Sequence, residues 1–324
     1  MFTVEIIEWA TYTYIRSMSL ENTRDIIQSL YEVEVLPKNI LLKHIETLID
    51  KIPSFYTITK HLQPYRSGYY AWDGTWFKFK GKNKVLLICF DVNTLDIVGY
   101  HVANDETYET YLELAHKIEE HEPNILARSK GFFSDGDIGL LKLFKQNYGK
   151  VPVQLCAFHK YSRVGQIVPF VRPKEIDKKL KEMTEAVIFA STKQKAQYAL
   201  LTLKRYAQTH QKNAKVKKVI GVLKRNFDLL LTHYDHPEMS PYNNVLEGFN
   251  HIIKRKLRLM KGFKKEQNID RWLKLILLEY RFHEIRSSKF KSRNGKSPLQ
   301  LAKVELPKMY NWIKYIRKNI GWCN

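Results

Sequence analysis

Tyr69-Tyr70-Ala71-Trp72-Asp73-Gly74-Thr75-Trp76-Phe77-Lys78-Phe79-Lys80 is dense in the aromatic residues that strands favour. The short Gly81-Lys82-Asn83 stretch leads from it to an apolar run at 85–91. A second apolar run, 97–102, follows the polar break at 93–96. These three segments predict an antiparallel meander. Downstream the period changes. Tyr108, Tyr111, Leu112, Ala115 and Ile118 recur at three and four, which predicts a helix over 107–120. A strand at 131–134, a helix at 138–147 and a strand at 151–155 complete the unit.

The order βββαβαβ is that of a ribonuclease-H-like α/β fold, whose central sheet is mixed. On its N-terminal side, 1–66 reads as a small helical domain. Leu20, Ile26, Ile27 and Leu30 mark one apolar face, and Ile40, Leu41, Ile45, Leu48 and Ile49 mark another. Pro37 suits a turn between them, so the pair is either a helix-turn-helix presenting Lys38, Lys43 and His44, or a packing unit. Pro53, Pro64 and Gly68 make 50–68 read as a linker. The first part of the core spans 67–159. No strand signal survives over 160–240, which reads as an all-helical insertion. Core helices return at 241–286, and 287–324 forms a basic C-terminal tail.

The chain of 324 residues carries 54 Lys+Arg against 33 Asp+Glu, a net charge of +21. The excess is graded along the chain. Residues 1–159 hold 17 basic and 20 acidic side chains, 160–247 hold 17 and 8, and 248–324 hold 20 and 5. A gradient this steep implies that one face meets a polyanion, and nucleic acid leads. No apolar run approaches the roughly 18 residues of a membrane helix, and no signal-peptide pattern opens the sequence. Cys89, Cys156 and Cys323 supply no disulfide framework. The expected setting is a reducing cytoplasm, nucleoid-associated in a prokaryote.

Two aspartates stand out from their surroundings. Asp73 sits inside an aromatic strand, where an unpaired carboxylate is costly. Asp135, in Phe133-Ser134-Asp135-Gly136, falls at the carboxyl end of its strand, where open α/β sheets place ligands. In a ribonuclease-H-like sheet their strands are neighbours. Converging carboxylates hold divalent ions for phosphoryl transfer. A third comes from Glu247, whose helical face continues through Asn250, His251, Lys254 and Arg258.

Phe133-Ser134-Asp135-Gly136-Asp137, followed by Val153-Gln154-Leu155-Cys156-Ala157-Phe158-His159, resembles the transposase core of Mutator-like elements and related prokaryotic insertion sequences. The late Gly295-Lys296-Ser297-Pro298 stretch is similar to one seen in many transposases. The resemblance implies a DDE transposase with its triad on Asp73, Asp135 and Glu247, holding Mg²⁺ or Mn²⁺. It implies cleavage at element ends and transfer of the 3′-OH into target DNA. The implied partners are double-stranded DNA, both terminal repeats and target, and further copies of the chain in a dimer or larger assembly, with no membrane. Asn250, Lys254, Arg255, Arg258, Lys261 and Lys264 are the expected DNA contacts. The alternatives are a structure-specific nuclease on the same fold, which hydrolyses and never joins strands, and a non-catalytic DNA-binding descendant of a transposase, against which the three intact acidic positions count.

Cys156 and His159 admit two readings. They could bind zinc with His233 and His236, although the wide separation is unlike a compact finger. They could instead shape the end of the fifth strand beside the site.

Overall fold

A computed structural model describes residues 3–17, 19–32, 37–169, 171, 174–259, 263, 265–308 and 311–322. Four helices open the chain: α1 (Val4–Ser17), α2 (Leu20–Tyr31), α3 (Lys38–Lys51) and α4 (Phe55–Leu62). α4 corrects the linker expected at 50–68. The Ser54 side chain caps it, accepting from the Thr57 N–H at 3.0 Å, and Phe55 and Ile58 are buried. Pro53 and Pro64 bracket a short helix rather than mark open chain.

The sheet follows as β1 (Tyr69–Phe79), β2 (Lys82–Asp91) and β3 (Ile97–Ala103), then α5 (Tyr108–His121), β4 (Gly131–Ser134), α6 (Ile138–Asn147) and β5 (Val153–Leu155). The element order is the one expected. The five strands make one mixed sheet in the order β3-β2-β1-β4-β5, antiparallel through β3-β2-β1 and parallel through β1-β4-β5. β5 begins two residues later than expected, because Pro152 has no N–H to give the ladder and the Val151 N–H turns back to the Tyr148 carbonyl.

Side chains alternate across this sheet, so each strand feeds two cores. Tyr70, Trp72, Val85, Leu87 and Phe132 pack with α5 and α6. Ala71, Leu86, Ile88, Phe90 and Phe133 face the other way.

After β5 the chain is helical: α7 (Ala157–Gly165), α8 (Glu175–Ile188), α9 (Lys193–Thr209), α10 (Ala214–Lys224), α11 (Phe227–Leu230) and α12 (Thr232–Asp235). Leu180, Val187, Leu203, Val216, Val219 and Leu223 give them a core of their own. Next come α13 (Asn244–Leu259), α14 (Gln267–Phe282), α15 (Pro298–Leu301) and α16 (Trp312–Asn319). Leu246, Phe249 and Ile253 of α13 and Leu273 of α14 cover the second sheet face, and Ile15, Ile45, Phe55, Trp312 and Ile316 belong to the same cluster.

The first helices and the last therefore share one core with the sheet. The expected basic tail folds back in part, with Lys314 paired to Glu5 at 2.6 Å and Arg317 to Glu8 at 2.5 Å. α3 keeps Lys43 exposed, while Lys38 pairs with Glu21 at 3.0 Å. Of the turn between α2 and α3, residues 33–36 lie outside the described residues.

A buried ion network locks α14 to the sheet. Arg281 donates to both Asp96 carboxylate oxygens at 2.7 and 2.9 Å, and to the Thr59 hydroxyl at 2.7 Å. Arg66 reaches Asp96 at 3.0 Å and Glu122 at 2.6 Å. Burial would raise the Asp96 pKa, but the two guanidiniums outweigh it and hold the carboxyl below its ordinary range.

Candidate active site

β1 and β4 run parallel in the register Tyr69↔Gly131, Tyr70↔Phe132, Ala71↔Phe133. Continued by two residues, that register sets Asp135, just past β4, opposite Asp73. Both share the parity of Ala71 and Phe133, which belong to the core covered by α13. Gly136 follows with φ +94°, a left-handed turn that turns the chain into α6. Asp137 caps that helix, accepting from the Leu140 N–H at 3.0 Å.

The charge of Asp135 acts on Asp73. The Asp73 pKa is pushed up to about 7, first by burial and then by the charge of Asp135. Asp73 accepts the Gly74 N–H at 2.8 Å and the Asn250 amide at 2.7 Å. Arg163 of α7 donates to Asp135 at 3.0 Å. Asn250, expected to face DNA, is thus a buried partner of Asp73, with its own carbonyl oxygen left without a hydrogen-bond donor.

Glu247 is on α13, one turn before Asn250, as its spacing required. Its carboxylate lies 3.5 Å from the His159 ring and forms, with Cys156 and His159, a set of donor atoms all within 4.8 Å of one another. It is the only such metal-ligating cluster of three or more among the described residues, so Asp73 and Asp135 stand outside that spacing. The His159 pKa is held up at about 9, chiefly by the Cys156 side chain, against burial and with help from the charges of Asp73 and Glu247. His233 and His236 are not in the cluster. The His233 ring lies against Gln154 and the Leu230 carbonyl, and His236 beside Glu238.

Two residues of this region escaped the sequence reading. Glu106 lies so close above Gly74 that a Cβ there would meet its carboxylate at 1.7 Å. It accepts from the Trp76 indole at 3.0 Å, and burial, with Asp137 and Asp135 nearby, raises its pKa. The signal available was Gly74 itself, since glycine within a strand marks close approach. Arg163 carried no signal, because one more cation on a basic helix is not distinctive.

The oxygen donors suit a hard divalent ion: the carboxylates of Asp73 and Asp135, with the Asn250 carbonyl oxygen and a Glu247 oxygen both buried without a hydrogen-bond partner. Two like charges near one another in a half-buried site also favour a cation between them.

Of the expected DNA contacts, Lys254 and Arg258 line a groove with Trp76, Lys78 and Lys80 at the outer end of β1. Arg255 points elsewhere, into a cavity with Arg16, Glu279 and His283. Lys261 and Lys264 lie outside the described residues.

A sequence model of the Mutator family of transposases matches residues 5–285. The chain belongs to the Mutator family of transposases. The family resemblance carried by the Ser-Asp-Gly and Cys-x-x-His motifs is thereby established. The transposase for insertion sequence element IS1201 of Lactobacillus helveticus is 25% identical over 189 residues, which cover 57% of this chain and 48% of that protein. The match spans about half the length of that relative.

Among solved structures, the HTLV-2 integrase catalytic core in complex with magnesium aligns at 12% identity over 43% of this chain and 86% of that one, with a TM-score of 0.24. A simian T-cell lymphotropic virus intasome in complex with the PP2A regulatory subunit B56 gamma aligns at 9% over 56% and 69%, also at 0.24. At those scores the fold rests on the strand order rather than on these likenesses. No helix among the described residues of this Mutator-family chain is long and apolar enough to cross a membrane.

Proposed function

We propose that this chain is a DNA transposase of ribonuclease-H-like fold, with Asp73, Asp135 and Glu247 as its catalytic carboxylates. The observation that supports it most is the β1–β4 register, which sets two mutually repelling aspartates on the face that α13 covers. Bound Mg²⁺ or Mn²⁺ would supply positive charge against the scissile phosphate and make the attacking water more acidic.

The chain's own residues do the rest. Asn250 orients Asp73, Arg163 orients Asp135, and Lys254 and Arg258, with Lys78 and Lys80, neutralise the DNA backbone along the groove. In cleavage a water oxygen bonds to phosphorus, the P–O3′ bond breaks, and the leaving 3′ oxygen takes up a proton. In joining, that 3′-OH bonds to a target phosphorus and the target's own 3′ oxygen leaves. The bond count is unchanged, so no external energy source is needed. Two element ends call for two sites, which fits a dimer or larger assembly on DNA, working in the cytoplasm on the nucleoid.

The test uses the full chain and paired terminal-repeat substrates. Asp73→Asn should abolish end cleavage and leave DNA affinity unchanged, since the neutral amide keeps the strand geometry. A variant that cuts at the wild-type rate would show the triad to be wrong. Wild-type ends that are cut and never joined would replace this reading with the nuclease.

A further inference from the structure

We propose that Cys156, His159 and Glu247 form a binding site for one Zn²⁺ ion, and that its occupancy withdraws Glu247 from Asp73 and Asp135. The second half rests on the triad reading above; the first does not.

The three donors come from segments pinned to one another. Cys156 ends the turn after β5, its N–H donating to the Ser134 carbonyl at 2.9 Å, and the next N–H, of Ala157, donates to the Pro241 carbonyl at 2.9 Å. α7 therefore starts against both the end of β4 and the approach to α13. Residues 156 and 159, three apart on a helix, then share a face toward Glu247. The donor atoms lie within 4.8 Å of one another, with Cys156 only 2% exposed.

A second observation points to a ligand. The buried atoms His159 Nδ1 and Glu247 Oε1 form a loose ion pair across 3.5 Å, short of a hydrogen bond. A pair this loose leaves both atoms room for a closer ligand. One thiolate, one imidazole and one carboxylate with a fourth position open is the ligand pattern of zinc.

Softness separates this site from the aspartate pair. Thiolate selects zinc over magnesium, whereas an all-oxygen set selects the hard ions. On binding, the Cys156 thiol proton passes to solvent and a zinc–sulfur bond forms.

Metal-stripped full-length protein titrated with Co²⁺ should bind one ion per chain and show a thiolate-to-cobalt charge-transfer band, removed by Zn²⁺. Cys156→Ser should lose the band, and competition with a chromophoric chelator should show Zn²⁺ affinity lowered at least about 100-fold in Cys156→Ser and His159→Ala. No band in the wild-type protein overturns the site, with no variant required to fold. A band that survives in Cys156→Ser, from a thiolate elsewhere, overturns it equally.

In Mg²⁺-supported cleavage, Zn²⁺ should inhibit the wild-type protein, and the fractional inhibition should vanish in Cys156→Ser. Zinc that binds with this signature yet leaves cleavage untouched overturns the withdrawal of Glu247. A Glu247→Gln variant that still cleaves overturns the triad reading instead, leaving the spectroscopic result standing.

Discussion

Asp96, fully buried in the turn before β3, and Asp73, half-buried in β1, are carboxylates in opposite surroundings. Asp96 has two guanidiniums on it and a depressed pKa. Asp73 has a neutral amide on one oxygen, a backbone N–H on the other and a second carboxylate across the ladder, and its pKa is pushed up to about 7. The first is a charge compensated by the protein. The second has a like charge beside it, offset only in part by His159, surroundings that make a carboxylate a candidate for function.

The comparison can be broken in four ways, from large effect to small. Asp73→Asn should lower end cleavage by about a thousandfold or more, a loss of several kcal/mol of transition-state stabilisation, as measured by gel assay on labelled element ends. Arg281→Met should cost about 3–5 kcal/mol of stability by leaving Asp96 with a single cation, measured by urea denaturation, with cleavage by the remaining folded fraction preserved.

Asn250→Ala should slow cleavage by about 10–100-fold, the range for a residue that orients a metal-binding side chain. Its thermal midpoint should move far less than that of Arg281→Met. Lys254→Ala and Arg258→Ala should each reduce the slope of log affinity against log salt by about 1. Arg255→Ala, on another surface, should leave that slope alone.

Acid unfolding sharpens the contrast further. The folded-state pKa of Asp96 is depressed, so its contribution to stability is complete above the unfolded value of about 3.9 and is lost as pH falls through the folded one. Asp96→Asn should be less stable at neutral pH and should show a flatter acid limb in a pH series of melts. An acid limb equal to that of the wild-type protein would mean that the network does not carry this charge.

Much of the sheet was legible because its signals are local. Aromatic and β-branched runs punctuated by polar breaks located each strand to within three residues, and Asp135-Gly136 advertised a strand end. α4 was hidden because two prolines that bracket a helix look, in sequence, like those of a linker. Asn250 was placed on one helical face with Glu247, but its contact with Asp73 was not legible, since periodicity gives a direction and not what lies along it. Glu106 and Arg163 were invisible for a related reason. Each acts through a contact distant along the chain, Glu106 over Gly74 and Arg163 on Asp135. Glu247 was placed on its helix by pattern, but its pairing with His159 depends on how α7 is anchored to Ser134 and Pro241.

The most direct test of the contrast is a set of thermal melts of wild-type, Asp73→Asn and Asp96→Asn proteins, each with and without Mg²⁺. Ligand binding to the folded state alone adds about 2.7 kcal/mol when the ion is at 100 times its Kd. The account predicts that Mg²⁺ raises the wild-type midpoint, that metal-free Asp73→Asn melts at or above the metal-free wild type, and that it gains nothing from Mg²⁺, while Asp96→Asn melts lower and keeps the Mg²⁺ gain. An Asp73→Asn protein that melts as low as Asp96→Asn and still responds fully to Mg²⁺ would contradict it.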